Sequence, residues 1–317
     1  MKSDSTQPQP ATGYPPFAFS EWHKPNGSIC AYKVLKSKQS STSTTSCPLV
    51  LVHGLSAVGL VDWLPLATEL SKFRTVLIFD NRGIGASKVK QDEPFTMFDL
   101  AQDVIELVQH VGWNTIDLLG FSMGGMIVQS ILVTPRLPFK VNHVVLAATS
   151  AKPAHSDLLQ AIPKVPQGQQ MNLEQKIKLV KPFVEVGYDS EFVKLHQDII
   201  MKRVLESVHT RRPAKTVQYQ VEAIAGYDIR KQMSTIPSTL PILILHGTKD
   251  RSVYFTESKY ILNGLKQSKL LKYNGIGHMW YDYYTIEYWT NLLNSFLNDQ
   301  TLPPLPVESI ENPKSKL

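Results

Sequence analysis

The stretch DLLGFSMGGM, residues 117–126, decides the fold. An apolar, strand-like run ends there at Ser122, with Gly120 two positions before it and Gly124 two positions after it, and a helix-like pattern follows at residues 124–133. A serine at a sharp turn from strand to helix is exposed above the edge of a sheet, and glycine fits where a side chain would collide. The pattern therefore predicts a nucleophilic serine at Ser122.

Other short apolar runs lie on both sides of this turn and alternate with amphipathic helical patterns. Buried strands that alternate with helices predict an α/β fold, with a mostly parallel central sheet flanked by helices on both faces. Thr96 and Asp99 form a start signal for a helix at residues 97–112, which Gly112 ends. The predicted strands are residues 48–54, 74–80, 115–121, 141–148 and 241–247, with a less apolar sixth at 268–273.

Between residues 152 and 233 the pattern changes to charged, amphipathic helices with no strand-like run. This stretch predicts a helical insertion after the fourth predicted strand. The chain is therefore divided into the first part of an α/β core, an insertion, the second part of the core and a flexible tail. These four segments are residues 1–151, 152–235, 236–300 and 301–317.

Composition limits the compartment and the partners. The 317 residues are 43% hydrophobic and carry a scattered net charge of +6. The one basic cluster, HTRRPAK at residues 209–215, lacks the interleaved aromatic residues of a nucleic-acid platform. We interpret it as a solvated helix end, with contact to an anionic group as the alternative. No run reaches the roughly 18 apolar residues of a membrane span. Cys30 and Cys47 are too few for a disulfide framework, which favours a reducing compartment.

The chain ends in Ser315, Lys316 and Leu317, the tripeptide SKL that the peroxisomal import receptor recognises at an extreme C-terminus. A polar, proline-containing stretch precedes it, and a receptor needs such an accessible tail. Residues 1–13 lack the apolar centre of a secretory signal peptide. The sequence therefore predicts the peroxisomal matrix as the location of this protein.

A serine nucleophile needs a base, and the base needs an acid that orients it. His278 lies in a glycine-containing loop between the last predicted strand and the last helix. Asp250 lies just beyond the fifth predicted strand and precedes His278, as the chain order serine, acid, histidine requires. Asp157, beyond the fourth strand, is the rival acid, and Asp250 could instead be a turn-capping aspartate.

An acyl intermediate also needs two N–H donors for its oxyanion. The backbone of Met123, directly after the serine, is one candidate. The backbone of Leu55, in the loop after the first predicted strand, is the second, with Ser56 as the alternative. His53, His246 and Asp250 do not show a zinc-ligand spacing and no phosphate loop is present, so we expect neither a metal nor another cofactor.

The motifs LVHGL, FDNRGIGAS, GFSMGG, LHGTKD and GIGH together resemble the α/β-hydrolase family, in its esterase, lipase and haloperoxidase-like branch. The resemblance covers roughly residues 51–297. It implies that Ser122, Asp250 and His278 form a catalytic triad. By the same resemblance the helical insertion is the family's cap, which covers the site and sets specificity, and residues 80–87 form a structural loop.

A serine at the nucleophile position disfavours epoxide hydrolases and haloalkane dehalogenases, which use an aspartate there. It favours hydrolysis of a carboxylic ester or thioester through an acyl-enzyme. The expected partner is a small-molecule acyl substrate, and in a peroxisome lipid acyl esters and acyl-CoA thioesters are the natural candidates. Perhydrolysis without a cofactor and carbon–carbon bond hydrolysis use the same triad, and a non-catalytic binding protein is a further alternative. Several apolar residues could line an acyl pocket, although such residues more often belong to the core. They are residues 95–98 and 278–284, Phe183, Phe192 and Ile199.

Overall fold

The computed structural model describes residues 18–37, 46–163 and 171–306 and contains an eight-stranded central sheet. Its strands are β1 (Ser20–His23), β2 (Ile29–Leu35), β3 (Leu49–Val52), β4 (Val76–Phe79), β5 (Thr115–Phe121), β6 (Lys140–Ala147), β7 (Ile242–Gly247) and β8 (Lys269–Tyr273). The spatial order is β1-β2-β4-β3-β5-β6-β7-β8. Strands β3 to β8 are parallel, whereas β1 and β2 form an antiparallel hairpin at one edge.

The six parallel strands confirm the six strands predicted from the sequence. Strands β3, β4 and β7 are buried along their whole length, and strands covered on both faces form continuous apolar runs that a sequence reveals. The hairpin of β1 and β2 is not predicted. It lies at the sheet edge, β1 has no buried residue, and β2 buries only Ala31 completely, so neither strand forms such a run.

Helices cover both faces of this sheet. The described residues form the helices α1 (Gly59–Asp62), α2 (Leu64–Leu70), α3 (Met97–His110), α4 (Met123–Leu132), α5 (Leu158–Ala161), α6 (Leu173–Glu185), α7 (Ser190–Leu195), α8 (Gln197–His209), α9 (Ala214–Ala225), α10 (Ser258–Gly264) and α11 (Ile286–Leu297). Side chains alternate along a strand, so Val50 joins the core under α3 and α4 while Leu51 joins the core under α2 and α11.

The start of α3 follows its sequence signal. Thr96 accepts a hydrogen bond from the backbone N–H of Asp99, and the Asp99 carboxylate accepts one from the backbone N–H of Thr96. This reciprocal capping satisfies two of the donors that a helix start leaves without intrahelical partners. Gly112, with a φ of 76°, lies just beyond the end of the helix.

Helices α5 to α9 lie between β6 and β7, which confirms a helical insertion after the fourth predicted strand. We call residues 152–235 the cap. It has a small apolar core of its own, made by Tyr188, Phe192, Ile200 and Val204. The described part of the cap contains no strand. The fold is thus an α/β core carrying a helical cap.

Two further sequence predictions concern the peroxisomal signal at the chain end and the absence of a membrane span. Ser315, Lys316 and Leu317 lie outside the described residues, so the peroxisomal signal stays a prediction. Within the described ranges, no helix combines the length and apolar character needed to cross a bilayer.

Candidate active site

Ser122 lies at the sharp turn between β5 and α4. Its backbone has φ 58° and ψ −125°, a strained conformation for a residue with a side chain. Hydrogen bonds of its backbone hold it there, one of them from the N–H of Gly125 to the carbonyl of Ser122 at 2.9 Å. The N–H of Ser122 donates to the carbonyl of Ala147 at 2.9 Å, and the hydroxyl of Thr149 donates to the carbonyl of Ser122 at 2.7 Å. The turn places Ser122 in the wall of a cavity between core and cap.

Glycines make the close approach at this turn possible. A Cβ atom on Gly120 would lie 2.5 Å from the carbonyl oxygen of Gly124, and one on Gly124 would lie 2.0 Å from that of Val52. Gly54, after β3, is a third such residue, because its Cβ would lie 2.9 Å from the Cβ of Ser122. The contact of Gly54 crosses from one strand end to the next, so no local sequence pattern points to it.

We expect Gly124→Ala to lower the free energy of unfolding by about 3 kcal/mol, because the new methyl group would meet the backbone of β3, which cannot move without breaking the sheet. Gly226→Ala is the matched control. A Cβ there would approach only the carbonyl of Glu222, at 3.6 Å, and we expect a change within about 0.5 kcal/mol. Urea unfolding of both variants measures the difference. A loss below about 1 kcal/mol in Gly124→Ala would contradict the close packing described for this turn.

Asp250 and His278 are joined by a hydrogen bond, with 2.8 Å between Oδ2 and Nδ1. Asp250 follows β7 and His278 follows β8, so both lie at the carboxyl ends of parallel strands. His278 and Ser122 line the same cavity. The fold therefore brings the three predicted residues together. The carboxylate of the rival acid Asp157 pairs instead with Arg251, at 3.0 Å.

Asp250 is buried and accepts several hydrogen bonds. Its Oδ1 accepts the backbone N–H groups of Ser252 and Val253 at 2.9 and 2.8 Å, and Nε2 of His246 lies 3.3 Å from Oδ2. Burial alone raises the pKa of the Asp250 carboxyl, but the charge of His278 and hydrogen bonds from both histidines lower the pKa to about 2. Asp250 is therefore ionised at neutral pH and can stabilise a positive charge on His278.

Two backbone N–H groups are available beside Ser122. Met123 is the first residue of α4, and the N–H groups of a first helical turn have no intrahelical acceptor. Leu55 lines the cavity, and its N–H has no acceptor among the described residues. The N–H of Ser56, the alternative from the sequence, donates instead to Oε1 of Gln220 at 2.8 Å. The geometry thus favours Leu55 over Ser56 as the second donor.

The cavity has a volume of about 110 Å³. Part of its wall is apolar, with Leu158, Phe183 and Val184 from the cap and Phe121 and Met279 from the core. Phe183 is one of the lining residues expected from the sequence. Phe192 and Ile199 pack in the core of the cap itself, and Phe95 packs in the core with α3, so for these three the alternative that such residues belong to the core is confirmed. Amphipathic cap helices bury their own apolar faces first, so aromatic content alone does not identify the lining.

Another part of the wall is polar. It contains His53, Asp62, Arg203 and Arg212. Arg212 lies 3.4 Å from Asp62, and Arg203 lies 2.7 Å from Asp282, which is behind the wall. Burial lowers the pKa of His53 to about 4, although the charge of Asp62 opposes this shift. His53 is therefore a neutral imidazole at neutral pH.

The interpretation of residues 209–215 as a solvated helix end is wrong for Arg212. Its side chain is only 14% exposed and donates to Thr210 and to the backbone carbonyl of Ser56. Its neighbour Arg211 donates to carbonyl oxygens of residues 83–87. A basic cluster in a sequence does not show that its side chains face another part of the same chain.

Comparison with known proteins gives the family. The sequence pattern of the alpha/beta hydrolase fold matches residues 48–283. The chain belongs to the α/β-hydrolase family. That match covers the core strands β3 to β8 and the whole cap, and it confirms both the fold class and the superfamily resemblance drawn from the motifs.

Curated relatives of this α/β-hydrolase are hydrolases. The 3-oxoadipate enol-lactonase 2 of Acinetobacter baylyi is 25% identical over 195 residues, covering 62% of this chain and 68% of its own. The serine hydrolase BPHL of Mus musculus is 24% identical over 230 residues, covering 70% and 69%. Among solved structures, an esterase from Exiguobacterium antarcticum superposes with a TM-score of 0.70 at 21% identity, covering 88% and 98%, which shows a shared fold.

Proposed function

We propose that this α/β-hydrolase cleaves a carboxylic ester or thioester through an acyl-enzyme on Ser122. The observation that carries the proposal is the arrangement at one cavity of a strained serine, a histidine and a buried ionised aspartate. The strained backbone of Ser122 is costly for folding, and all three groups are useful for acyl transfer, which makes an incidental origin a poor explanation.

The proposed chemistry uses each group in turn. His278 accepts the Ser122 proton as Oγ attacks the acyl carbonyl, and the ion pair with Asp250 stabilises the resulting imidazolium. The N–H groups of Met123 and Leu55 bind the oxyanion. His278 then protonates the leaving oxygen or sulfur, which departs and leaves the acyl group on Ser122. Water repeats the cycle with His278 as base, releasing the carboxylic acid and restoring the serine.

The size of the cavity supports a short acyl group. Ligand pockets commonly have volumes of roughly 300–1,000 Å³, whereas the cavity at Ser122 has about 110 Å³. An acetyl-sized or butyryl-sized group suits this space, and a long chain would extend beyond it. The apolar cap residues around Phe183 suit the alkyl part of such a group.

The first test is a series of p-nitrophenyl esters from acetate to palmitate, with the matching acyl-CoA thioesters in parallel and Ser122→Ala as background. We expect turnover that depends on Ser122, with the highest kcat/KM at two to four carbons, on the order of 10-fold above the long chains. An optimum at long chains would overturn the short-acyl assignment. Activity on esters or thioesters that is equal in wild type and variant would overturn the proposed function. Peracid formation and 1,5-diketone cleavage, assayed alongside, separate the other reactions of this triad.

We also propose import into peroxisomes, on the strength of the C-terminal SKL at residues 315–317. A fluorescent protein fused to the N-terminus leaves the signal free. We expect a punctate distribution that coincides with a peroxisomal marker and becomes diffuse when residues 315–317 are deleted. A diffuse distribution of the intact fusion would contradict the proposal.

A further inference from the structure

Ser56, in the loop after β3, has an unusual backbone. Its φ is 60°, a left-handed value that residues with a side chain rarely adopt. Such a conformation costs on the order of 1–3 kcal/mol and persists only where the surroundings hold it. Ser56 directly follows Leu55, whose N–H is the second oxyanion donor in the proposed function. The groups that hold Ser56 therefore bear on the active site.

Both backbone polar groups of Ser56 bind side chains of the cap. Its N–H donates to Oε1 of Gln220 at 2.8 Å, and its carbonyl accepts a hydrogen bond from Nη1 of Arg212. Gln220 lies on α9 and is completely buried. Arg212 lies in the link between α8 and α9 and is fixed in turn by the hydroxyl of Thr210 at 2.8 Å. Two cap residues thus hold one residue of the core from both sides.

The loop itself supplies little other support. The N–H of Ala57 reaches the carbonyl of Gly54 at 3.4 Å, a long and therefore weak hydrogen bond. Without the cap, the buried N–H and carbonyl of Ser56 would lose their partners, and the backbone would gain by relaxing its φ. The peptide unit between Leu55 and Ser56 shares the Leu55 Cα atom with the unit that carries the Leu55 N–H. A change in the Ser56 φ that leaves the rest of the loop in place requires compensating changes in φ and ψ of Leu55, and these would turn that N–H.

We propose that Arg212 and Gln220 are positioning residues that hold the Leu55 N–H in the oxyanion hole. This inference rests on the proposed function, because it assumes the oxyanion role of Leu55. It makes catalysis depend on a closed cap: when α9 lies away from the core, the second donor is lost while Ser122, Asp250 and His278 keep their places in the core.

The test is Gln220→Met, which removes the acceptor and nearly preserves side-chain volume. Losing an oxyanion donor outright costs about 10²–10³ in kcat, and misdirecting one costs less. We expect kcat for p-nitrophenyl acetate to fall about 10-fold, with KM unchanged within about 2-fold. Gln218→Met, on the exposed side of the same helix, is the matched control with unchanged kinetics. Arg212→Met should behave like Gln220→Met, and Arg212→Lys, which keeps a donor, should recover part of kcat.

A pair of inhibitors separates positioning from loss of structure. Ser122 Oγ adds to the carbonyl carbon of a trifluoromethyl ketone, and the product carries an oxyanion. The matching methyl ketone stays largely unreacted. We expect Ki for the fluorinated compound to rise about 10-fold in Gln220→Met and Arg212→Met, with Ki for the methyl ketone unchanged. Equal weakening of both inhibitors, or an unchanged kcat, would overturn the positioning role.

Amide hydrogen exchange tests the clamp without relying on any activity assay. We expect the amide of Ser56, whose acceptor is Oε1 of Gln220, to exchange at least 10-fold faster in Gln220→Met than in wild type, while Gln218→Met leaves it unchanged. Unchanged exchange in both variants would overturn the clamp whatever the substrate. If wild type and Ser122→Ala hydrolyse the ester equally, the proposed function fails, and accelerated exchange would then support only the structural half of the inference.

Discussion

Ser122→Ala should lower kcat for ester hydrolysis on the order of 10⁴-fold or more, because it removes the atom that forms the acyl-enzyme. What remains should be the modest acceleration that oxyanion donors and binding alone provide. KM should change little, since the hydroxyl contributes little to binding in the ground state. Steady-state rates with purified protein, together with the loss of the acyl-enzyme burst, measure this effect.

The variant should fold as well as the wild type. Alanine has the same backbone preferences as serine at this turn, and the hydrogen bonds that hold residue 122 come from its backbone, to Ala147 and Thr149. Ser130→Ala is the matched control, because Ser130 lies buried on the same helix and its hydroxyl donates to the carbonyl of Met126. We expect its activity to stay within about 2-fold of wild type. Retention of a tenth of the activity by Ser122→Ala would exclude Ser122 as the nucleophile.

The parts of the site that the sequence reveals are those that local chemistry dictates. Gly120 and Gly124 surround Ser122 because the turn has no room for side chains, and that requirement is visible as a short motif. Asp250 and His278 each follow an apolar strand, so the parallel sheet brings them to one edge without any knowledge of packing. The same reasoning predicts strands β3 to β8, which are apolar because helices cover both of their faces.

The parts that the sequence does not reveal depend on contacts between distant segments. Arg212 occurs in a basic cluster and Gln220 in an amphipathic helix, and neither pattern indicates that both side chains bind Ser56. Such contacts follow from how the cap docks and how loops close. They have no spacing that a sequence could display.

Asp250→Asn should lower kcat/KM by about 10³–10⁴-fold. An asparagine keeps the shape of the side chain and an oxygen for the N–H groups of Ser252 and Val253, so the loop after β7 should keep its structure. The variant loses the negative charge that stabilises a protonated His278. An amide nitrogen placed toward His278 Nδ1 would also force the imidazole into the tautomer that presents a hydrogen, instead of a lone pair, to Ser122.

Asp157→Asn is the matched control, since Asp157 is the rival acid of the sequence and pairs only with groups near the surface, Arg251 and Tyr254. We expect its kcat/KM to stay within about 2-fold of wild type. A large loss in Asp157→Asn with little loss in Asp250→Asn would reverse the assignment of the acid. Comparable losses in both would indicate that the loop after β7, which Arg251 ties to Asp157, must be ordered for His278 to act.

The pKa of Asp250 adds a second, independent observable. Its folded value of about 2 lies below the ordinary 3.8 of an aspartate. A carboxyl group with a lowered folded pKa stabilises the native state above its unfolded pKa, and this contribution is lost as pH falls through the folded value. Wild type should therefore lose stability between about pH 4 and pH 2 more steeply than Asp250→Asn, which has no such proton to take up. Urea unfolding across this range measures the difference. If the free energy of unfolding of both proteins depended on pH in the same way, the Asp250 carboxylate would gain no stabilisation from His278 and His246. A triad in which the acid stabilises the imidazolium would then be untenable.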